Sequence, residues 1–332
     1  MNNTYQDANE SLLSQRMVSD KIDQIQNIQY EKSFDLVSNK LIWSRCVYFQ
    51  EGQFAVGLLD GNVILVDTLS STSNMINLKN PPKQKVKDIV FLQKNSLMAV
   101  CYIDANIHIW SLKENGKLVK QLPYQSYNSV SIKDRYFAFI LSDMLNEVII
   151  LDSHKSFSIV QKIQAPTSFN DQLNSIRFIS SLHPTTNLFI FVDRFYLYVY
   201  DFYTKHYVKI INLKGYGNPY KVKTYKKDYF YYAAVLFMSE KFIIIDLIKG
   251  EIIYKSKALD GSLNSSVLCC EFVNRTNIIL GFGDLKAYVI NFITNQIQVI
   301  NNDDGFVGAF VDKNKLFTTA DKLNKVYSYI LN

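Results

Sequence analysis

Residues Ser96–Leu112 read SLMAVCYIDANIHIWSL. Leu97, Ala99 and Cys101 alternate with Met98, Val100 and Tyr102. A polar turn follows at Asp104-Ala105-Asn106, and Ile107, Ile109 and the Trp110-Ser111 pair resume the alternation. Successive strand side chains leave by opposite faces, so a period of two interrupted by Asp and Asn is the pattern of a hairpin.

The hairpin recurs. The position of Trp110, at the end of the third strand of its unit, has equivalents at Val66 in NVILVDT, Leu151 in EVIILDS, Tyr200 in LYVYDF, Ile245 in FIIIDL, Ile290 in AYVINF and Tyr327 in NKVYSY. These seven anchors lie 37 to 49 residues apart, and each precedes a short polar residue: Asp67, Ser111, Asp152, Asp201, Asp246, Asn291 and Ser328. A repeat of roughly 40–45 residues carrying four strands is the period of a propeller blade. In the second unit the four strands are expected at Val86–Phe91, Leu97–Tyr102, Asn106–Leu112 and Lys117–Leu122. The pattern predicts an all-β fold, a seven-bladed β-propeller of four-stranded antiparallel blades, over residues 21–332. The last blade has no fourth strand of its own. A strand-like stretch at 22–30, ahead of the first blade's inner strand at Leu41–Phe49, is expected to supply it, closing the ring and covering an open edge. Residues 1–20 read as a flexible tail or a short helix.

The unit resembles the WD40 family. Ile109-Trp110-Ser111-Leu112 is similar to that family's Trp-Asp ending, as are Tyr200-Asp201 and Ile245-Asp246. Asp60, Asp104, Asp284 and Asp321 stand six residues before their anchors, where the family usually carries a turn aspartate, and Leu182-His183-Pro184 resembles its first turn. The chain departs from the family in lacking the Gly-His dipeptide that opens blades and in having the anchor Trp in one blade alone. In blades 3 and 4 the nearest aspartates, Asp143 and Asp193, sit at other offsets. The family's buried Asp-His-Ser/Thr-Trp network is therefore incomplete here, and each turn aspartate needs another partner. The resemblance implies a scaffold or adaptor that serves as a subunit of a larger protein assembly.

Composition bounds the function classes. Hydrophobic residues make up 48% of 332 residues, with 22 Tyr and 22 Phe, which suits a large strand-rich core. The net charge is a modest +6, and only Arg16, Arg45, Arg135, Arg177, Arg194 and Arg275 are arginines. Scarcity of the guanidinium fork weighs against sequence-specific nucleic-acid reading. Cys46, Cys101, Cys269 and Cys270 form no C-x-x-C pair and read as buried free thiols of a reducing compartment, with no structural metal. The N-terminus has neither a basic start nor an apolar stretch of signal-peptide type. The longest apolar run, Tyr229–Met238, is too short to span a bilayer, so the cytoplasm or nucleus is expected.

No constellation reads as catalytic, and no cofactor is expected. His108, His154, His183 and His206 are dispersed. Asp152-Ser153-His154 has the residue types of a triad, but adjacent residues splay apart where a triad needs convergence. Gly215-Tyr216-Gly217 and Gly281-Phe282-Gly283 precede no phosphate-binding helix, and Gly281 and Gly283 read as relief of crowding. Asp60-Gly61 and Asp260-Gly261 are turn chemistry.

Two lysine clusters remain. Lys79, Lys83, Lys85 and Lys87 lie in LKNPPKQKVK, and Lys214, Lys221 and Lys223 lie with Tyr216 and Tyr220 in LKGYGNPYKVKTYKK. Both join the fourth strand of one blade (d) to the first of the next (a). In an up-and-down blade the d–a and b–c connections leave at one end, so both clusters are expected on one face, with Asp303 and Asp304 adding negative charge to it. That face is the expected site for partner proteins. The other reading is a reader of anionic membranes or polyanions, which the absence of an Arg-Arg pair disfavours.

Overall fold

Both faces of the Leu97–Tyr102 strand are buried, which is why its sequence is apolar on either parity. Leu97, Ala99 and Cys101 pack with Ile107 and Ile109 in one cluster, while Met98, Val100 and Tyr102 pack with Trp110 in another. A strand covered on both sides belongs inside a stack of sheets.

The stack is a ring, seen in a computed structural model that describes residues 25, 27–38, 40–44, 46–141, 147–164, 166, 176–181, 187–238, 241–256, 267–282, 286–301, 306–320 and 324–332, without the side chains of Tyr127 and Leu268. Residues 1–20, Asp143, the Leu182-His183-Pro184 turn, Asp260-Gly261, Gly283, Asp284, Asp303, Asp304 and Asp321 lie outside the described residues.

Seven four-stranded antiparallel sheets form the blades. The closing strand is β1 (Ile28–Asp35). Blade 1 is β2 (Val47–Gln50), β3 (Gln53–Gly57), β4 (Val63–Asp67) and β5 (Thr72–Met75). Blade 2 is β6 (Val86–Leu92), β7 (Leu97–Tyr102), β8 (Ile107–Ser111) and β9 (Lys117–Leu122). Blade 3 is β10 (Ser126–Ile132), β11 (Tyr136–Leu141), β12 (Glu147–Asp152) and β13 (Ser158–Gln164). Blade 4 is β14 (Phe178–Ser181), β15 (Leu188–Val192), β16 (Tyr196–Asp201) and β17 (His206–Asn212). Blade 5 is β18 (Pro219–Lys227), β19 (Phe230–Phe237), β20 (Phe242–Asp246) and β21 (Glu251–Lys255). Blade 6 is β22 (Val267–Phe272), β23 (Asn277–Phe282), β24 (Lys286–Asn291) and β25 (Gln296–Asn301). Blade 7 is β26 (Phe306–Asp312), β27 (Lys315–Ala320) and β28 (Lys325–Leu331), completed by β1 pairing antiparallel with β28. Ring closure thus comes from an N-terminal strand, but the strand runs later than 22–30 and shares only Ile28, Gln29 and Tyr30 with that stretch. Its β-bulge between Tyr30 and Lys32 holds Glu31, which accepts Lys315 Nζ and Ser328 Oγ, each at 2.6 Å.

The core consists of seven apolar clusters, one in each joint between adjacent blades, and each contains one anchor. Val66, Trp110, Leu151, Tyr200, Ile245, Ile290 and Tyr327 are all buried, each packing toward the preceding blade. Burial of such side chains from water is the main force holding blade to blade.

The polar residue after the anchor has its own physical role, as a cap on the c–d turn. Oδ1 of Asp67 accepts the N–H groups of Leu69 and Ser70, Asp201 those of Tyr203 and Thr204, and Asp246 those of Ile248 and Lys249; Asn291 does the same for Ile293 and Thr294. Short side chains that bond the backbone two and three residues on favour such turns. The b–c aspartates vary more. Asp60 accepts Asn62 N–H, whereas Asp193 is fully buried and accepts from Phe195 N, Tyr196 N and the Tyr198 hydroxyl at 2.7, 2.7 and 2.8 Å.

Bulges recur as well. In blades 2, 3, 4 and 5 the c–d register shifts immediately before the anchor, leaving Val119, Val160, Val208 and Ile253 unpaired on the outer strand. Bulges on exposed outer strands deter edge-to-edge pairing with another chain.

Candidate functional site

The inner strands of blades 2, 3, 5, 6 and 7 share a second irregularity. Each shifts register after its first residue, between Val86 and Asp88, Ser126 and Asn128, Pro219 and Lys221, Val267 and Cys269, and Phe306 and Gly308. A bulge re-aims the residues that follow. Here the third residue of each strand (Asp88, Asn128, Lys221, Cys269 and Gly308) lines a cavity of about 350 Å³ on the axis, with Lys87, Lys223 and Glu271 also in its wall. The inner strands of blades 2 to 7 and the connection leading into blade 1 contribute, and most of the lining comes from the beginnings of inner strands, so the cavity sits at the d–a end of the axis.

Its wall is charged on both sides. Lys223 Nζ lies 2.5 Å from Glu271 Oε2, tying blade 5 to blade 6. Asp88 is buried and accepts Ser129 N–H at 3.0 Å and Ser129 Oγ–H at 2.9 Å on Oδ2, and Ile89 N–H at 3.0 Å on Oδ1. Burial lowers the pKa of Lys87 from the ordinary lysine value, since an ammonium loses hydration there. Cys46, Cys269 and Cys270 complete part of the wall as free thiols, pushed up by burial to about 12, about 11 and about 12.

Trp43 stands at the mouth. The expected inner strand of blade 1, Leu41–Phe49, is shorter in the structure, beginning at Val47. Its first half forms a clasp instead: Trp43 and Ser44 both donate N–H to the Gly57 carbonyl, and Gly57 N–H donates to Ser44 Oγ at 2.7 Å. Gly57 is required because a Cβ there would fall 2.2 Å from Val86 Cγ1. The clasp leaves Trp43 44% exposed, with Lys85 Nζ 4.1 Å from the centre of an indole ring, a cation–π pair.

The lysines expected on one face divide. Lys79, Lys83 and Lys85 are exposed on the β5–β6 connection, and Lys214 on the β17–β18 connection, 5.6 Å from the ring centres of Phe195 and Tyr196. Lys87, Lys221 and Lys223 lie on β6 and β18 and belong to the cavity wall. Tyr216 is half-buried and stacks on Phe237, and the Tyr220 hydroxyl donates to the Val267 carbonyl at 3.3 Å, so both rings are packing groups. Trp43, Asp88, Asn128 and Glu271 did not emerge from the sequence. The available signal was a charged or amide residue inside an otherwise apolar inner strand, as in Lys87-Asp88-Ile89 and Cys270-Glu271-Phe272.

Other candidates are structural. Asp152 receives Arg135 through Nε at 2.9 Å and Nη2 at 2.5 Å and also caps His154 N–H, while the His154 side chain is exposed. The Arg135 guanidinium holds the Asp152 carboxyl below the usual range. Gly281 gives room to Cys269 and Phe306, whose atoms lie 2.4 and 2.6 Å from where its Cβ would be. Among the described residues no group of three or more His, Cys, Asp or Glu could hold a metal, and no helix is long and apolar enough to cross a membrane.

No protein-family model and no curated protein matches the chain. Among solved structures, the chain is similar to the β-propeller domain of Myceliophteria thermophila Cps50 (Swd1), with a TM-score of 0.70 at 10% identity. The match covers 90% of this chain and 99% of that one. At that identity the likeness is one of fold, a β-propeller, which in this chain has seven four-stranded blades.

Proposed function

We propose that the protein is a non-catalytic interaction scaffold that receives a protein partner on the face formed by the d–a and b–c connections, as a subunit of a larger assembly. The observation that carries this reading is the exposed Trp43 with Lys85 against its ring, beside Lys79 and Lys83 on the same end of the disc. An exposed Trp held in place by its neighbours is among the residue types that dominate protein interfaces. The ring behind them is stiff because each blade is buried on both faces, so the face can hold a partner without paying much ordering entropy. An acidic segment is the complementary partner chemistry, since lysines at 40, 79, 83, 85, 214 and 241 stand exposed on the described d–a and b–c connections.

Gentle affinity capture from lysate, with the wild type beside Trp43→Ala and Lys85→Glu, tests the proposal. A stoichiometric partner is expected with the wild type, lost in both variants and kept in Leu69→Ser on the opposite face. Recovery of the wild-type chain alone and monomeric overturns the scaffold reading. Equal capture by all variants moves the partner off this face.

A further inference from the structure

We propose that the outer edge of blade 6, strand β25, docks β25 of a second copy of this chain, the two strands pairing antiparallel about a two-fold axis. This surface lies on the rim of the disc and does not depend on the partner face. The other outer strands are guarded against such pairing. β9, β13, β17 and β21 each carry a bulge and at least one Lys or Glu, and the bulge of β1 holds Glu31 beside Lys32. β5 is only four residues long. β25 (Gln296–Asn301) has none of these protections. It is six residues long, QIQVIN, with neither a charged residue nor a proline, and its register with β24 is unbroken from Asn291↔Gln296 to Lys286↔Asn301. Among the described residues it is the last strand of its sheet. A straight, neutral edge of this length is a template for another strand.

The pattern of β25 fits itself. Gln298 and Ile300 turn toward blade 7: Gln298 Nε2 donates to the Ile25 carbonyl at 2.7 Å, and Ile300 packs with Ile25 in the joint of blades 6 and 7. Ile297 and Val299 leave by the other face and are 48% and 51% exposed. In an antiparallel pair centred on Gln298, Ile297 of each copy stands opposite Val299 of the other, so the exposed apolar side chains cover one another. Charge complementarity favours the second copy over the acidic segment suited to the lysine face. Two neutral strands meet without like charges, whereas a charged segment would find no counter-charge on β25. One strand from each chain is a small interface beside the ~1,200 Å² that specific stable complexes bury. The dimer is therefore expected to form reversibly at micromolar protein.

Sedimentation velocity of the full chain over a range of concentrations tests this. A monomer–dimer equilibrium is expected for the wild type. Ile297→Lys and Val299→Lys, which place a charge on the edge, should each weaken it about tenfold or more. Val208→Lys, on the bulged edge of β17, should leave it unchanged. Both edge positions are half-exposed, so the variants are expected to fold, and thermal unfolding checks this. The register has its own test. Ile297→Cys mixed with Val299→Cys should give a mixed disulfide faster than either variant alone, while the four buried native thiols stay unreacted. A photo-crosslinking side chain in place of Val299 then identifies what lies on the edge in lysate. A product of two copies of the chain supports the proposal; a link to residues 1–24 of the same chain, or to a different protein, overturns it. So does a wild type that stays monomeric at about 100 µM, or a dimer that folded Ile297→Lys and Val299→Lys leave intact.

Discussion

Ser129 donates both its backbone N–H and its hydroxyl to Oδ2 of Asp88, at 3.0 and 2.9 Å, across the joint between blades 2 and 3. Both residues are buried, so neither donor can turn to water instead. Asp88→Ala leaves the pair unsatisfied and should cost about 1–3 kcal/mol, whereas Ser129→Ala, which keeps the N–H bond, should cost about 1 kcal/mol. Urea unfolding reads both. An Asp88→Ala midpoint equal to that of the wild type would show that the joint does not need this contact.

The two tryptophans should behave oppositely. Trp110 is fully buried between blades 1 and 2, and Trp110→Ala should destabilise by about 3–5 kcal/mol. Trp43 is substantially exposed, so Trp43→Ala should leave the unfolding midpoint nearly unchanged. Single-tryptophan variants separate them without relying on stability: acrylamide should quench Trp43 emission and spare Trp110.

The thiols give a kinetic test of burial. With pKa values of about 12, 12, 11 and 12 for Cys46, Cys101, Cys269 and Cys270, a negligible fraction is thiolate at pH 8. A thiol-disulfide reagent should react slowly with the native protein and rapidly with four equivalents in denaturant. Fast native reaction of one thiol would contradict the packing around it.

Acid should act through Asp152. Its folded pKa is depressed, chiefly by the Arg135 hydrogen bonds, so the stabilisation is complete above the unfolded value of about 4 and is lost as pH falls through the folded one. Asp152→Asn should therefore be less stable than the wild type at pH 7, and the gap should narrow progressively below about pH 4. A gap that stays constant down to pH 2 would rule out this linkage.

The closing strand makes a further prediction. Removal of residues through Asp35 deletes β1, leaves the β28 edge unpaired and strips Lys315 and Ser328 of Glu31. Loss of cooperative unfolding and association through the open edge are expected, read by calorimetry and light scattering. A monomer with a wild-type melting profile would mean that β1 is dispensable.

The repeat and the seven anchors were legible in the sequence, because burial on both faces of a blade leaves short, nearly continuous apolar strands broken by polar turns at the blade period. Leu97–Tyr102 and Lys117–Leu122 stand where the pattern places them. The axial cavity was not legible. Its wall draws residues from the inner strands of six blades and from the connection into blade 1, far apart in the chain, and only ring closure gathers them. The side chains that face it are set by a bulge after the first residue of five inner strands, and one extra residue reassigns the faces of an alternating pattern. Lys87, Lys221 and Lys223 therefore read as surface charge along the chain, and the tertiary structure alone turns them to the axis.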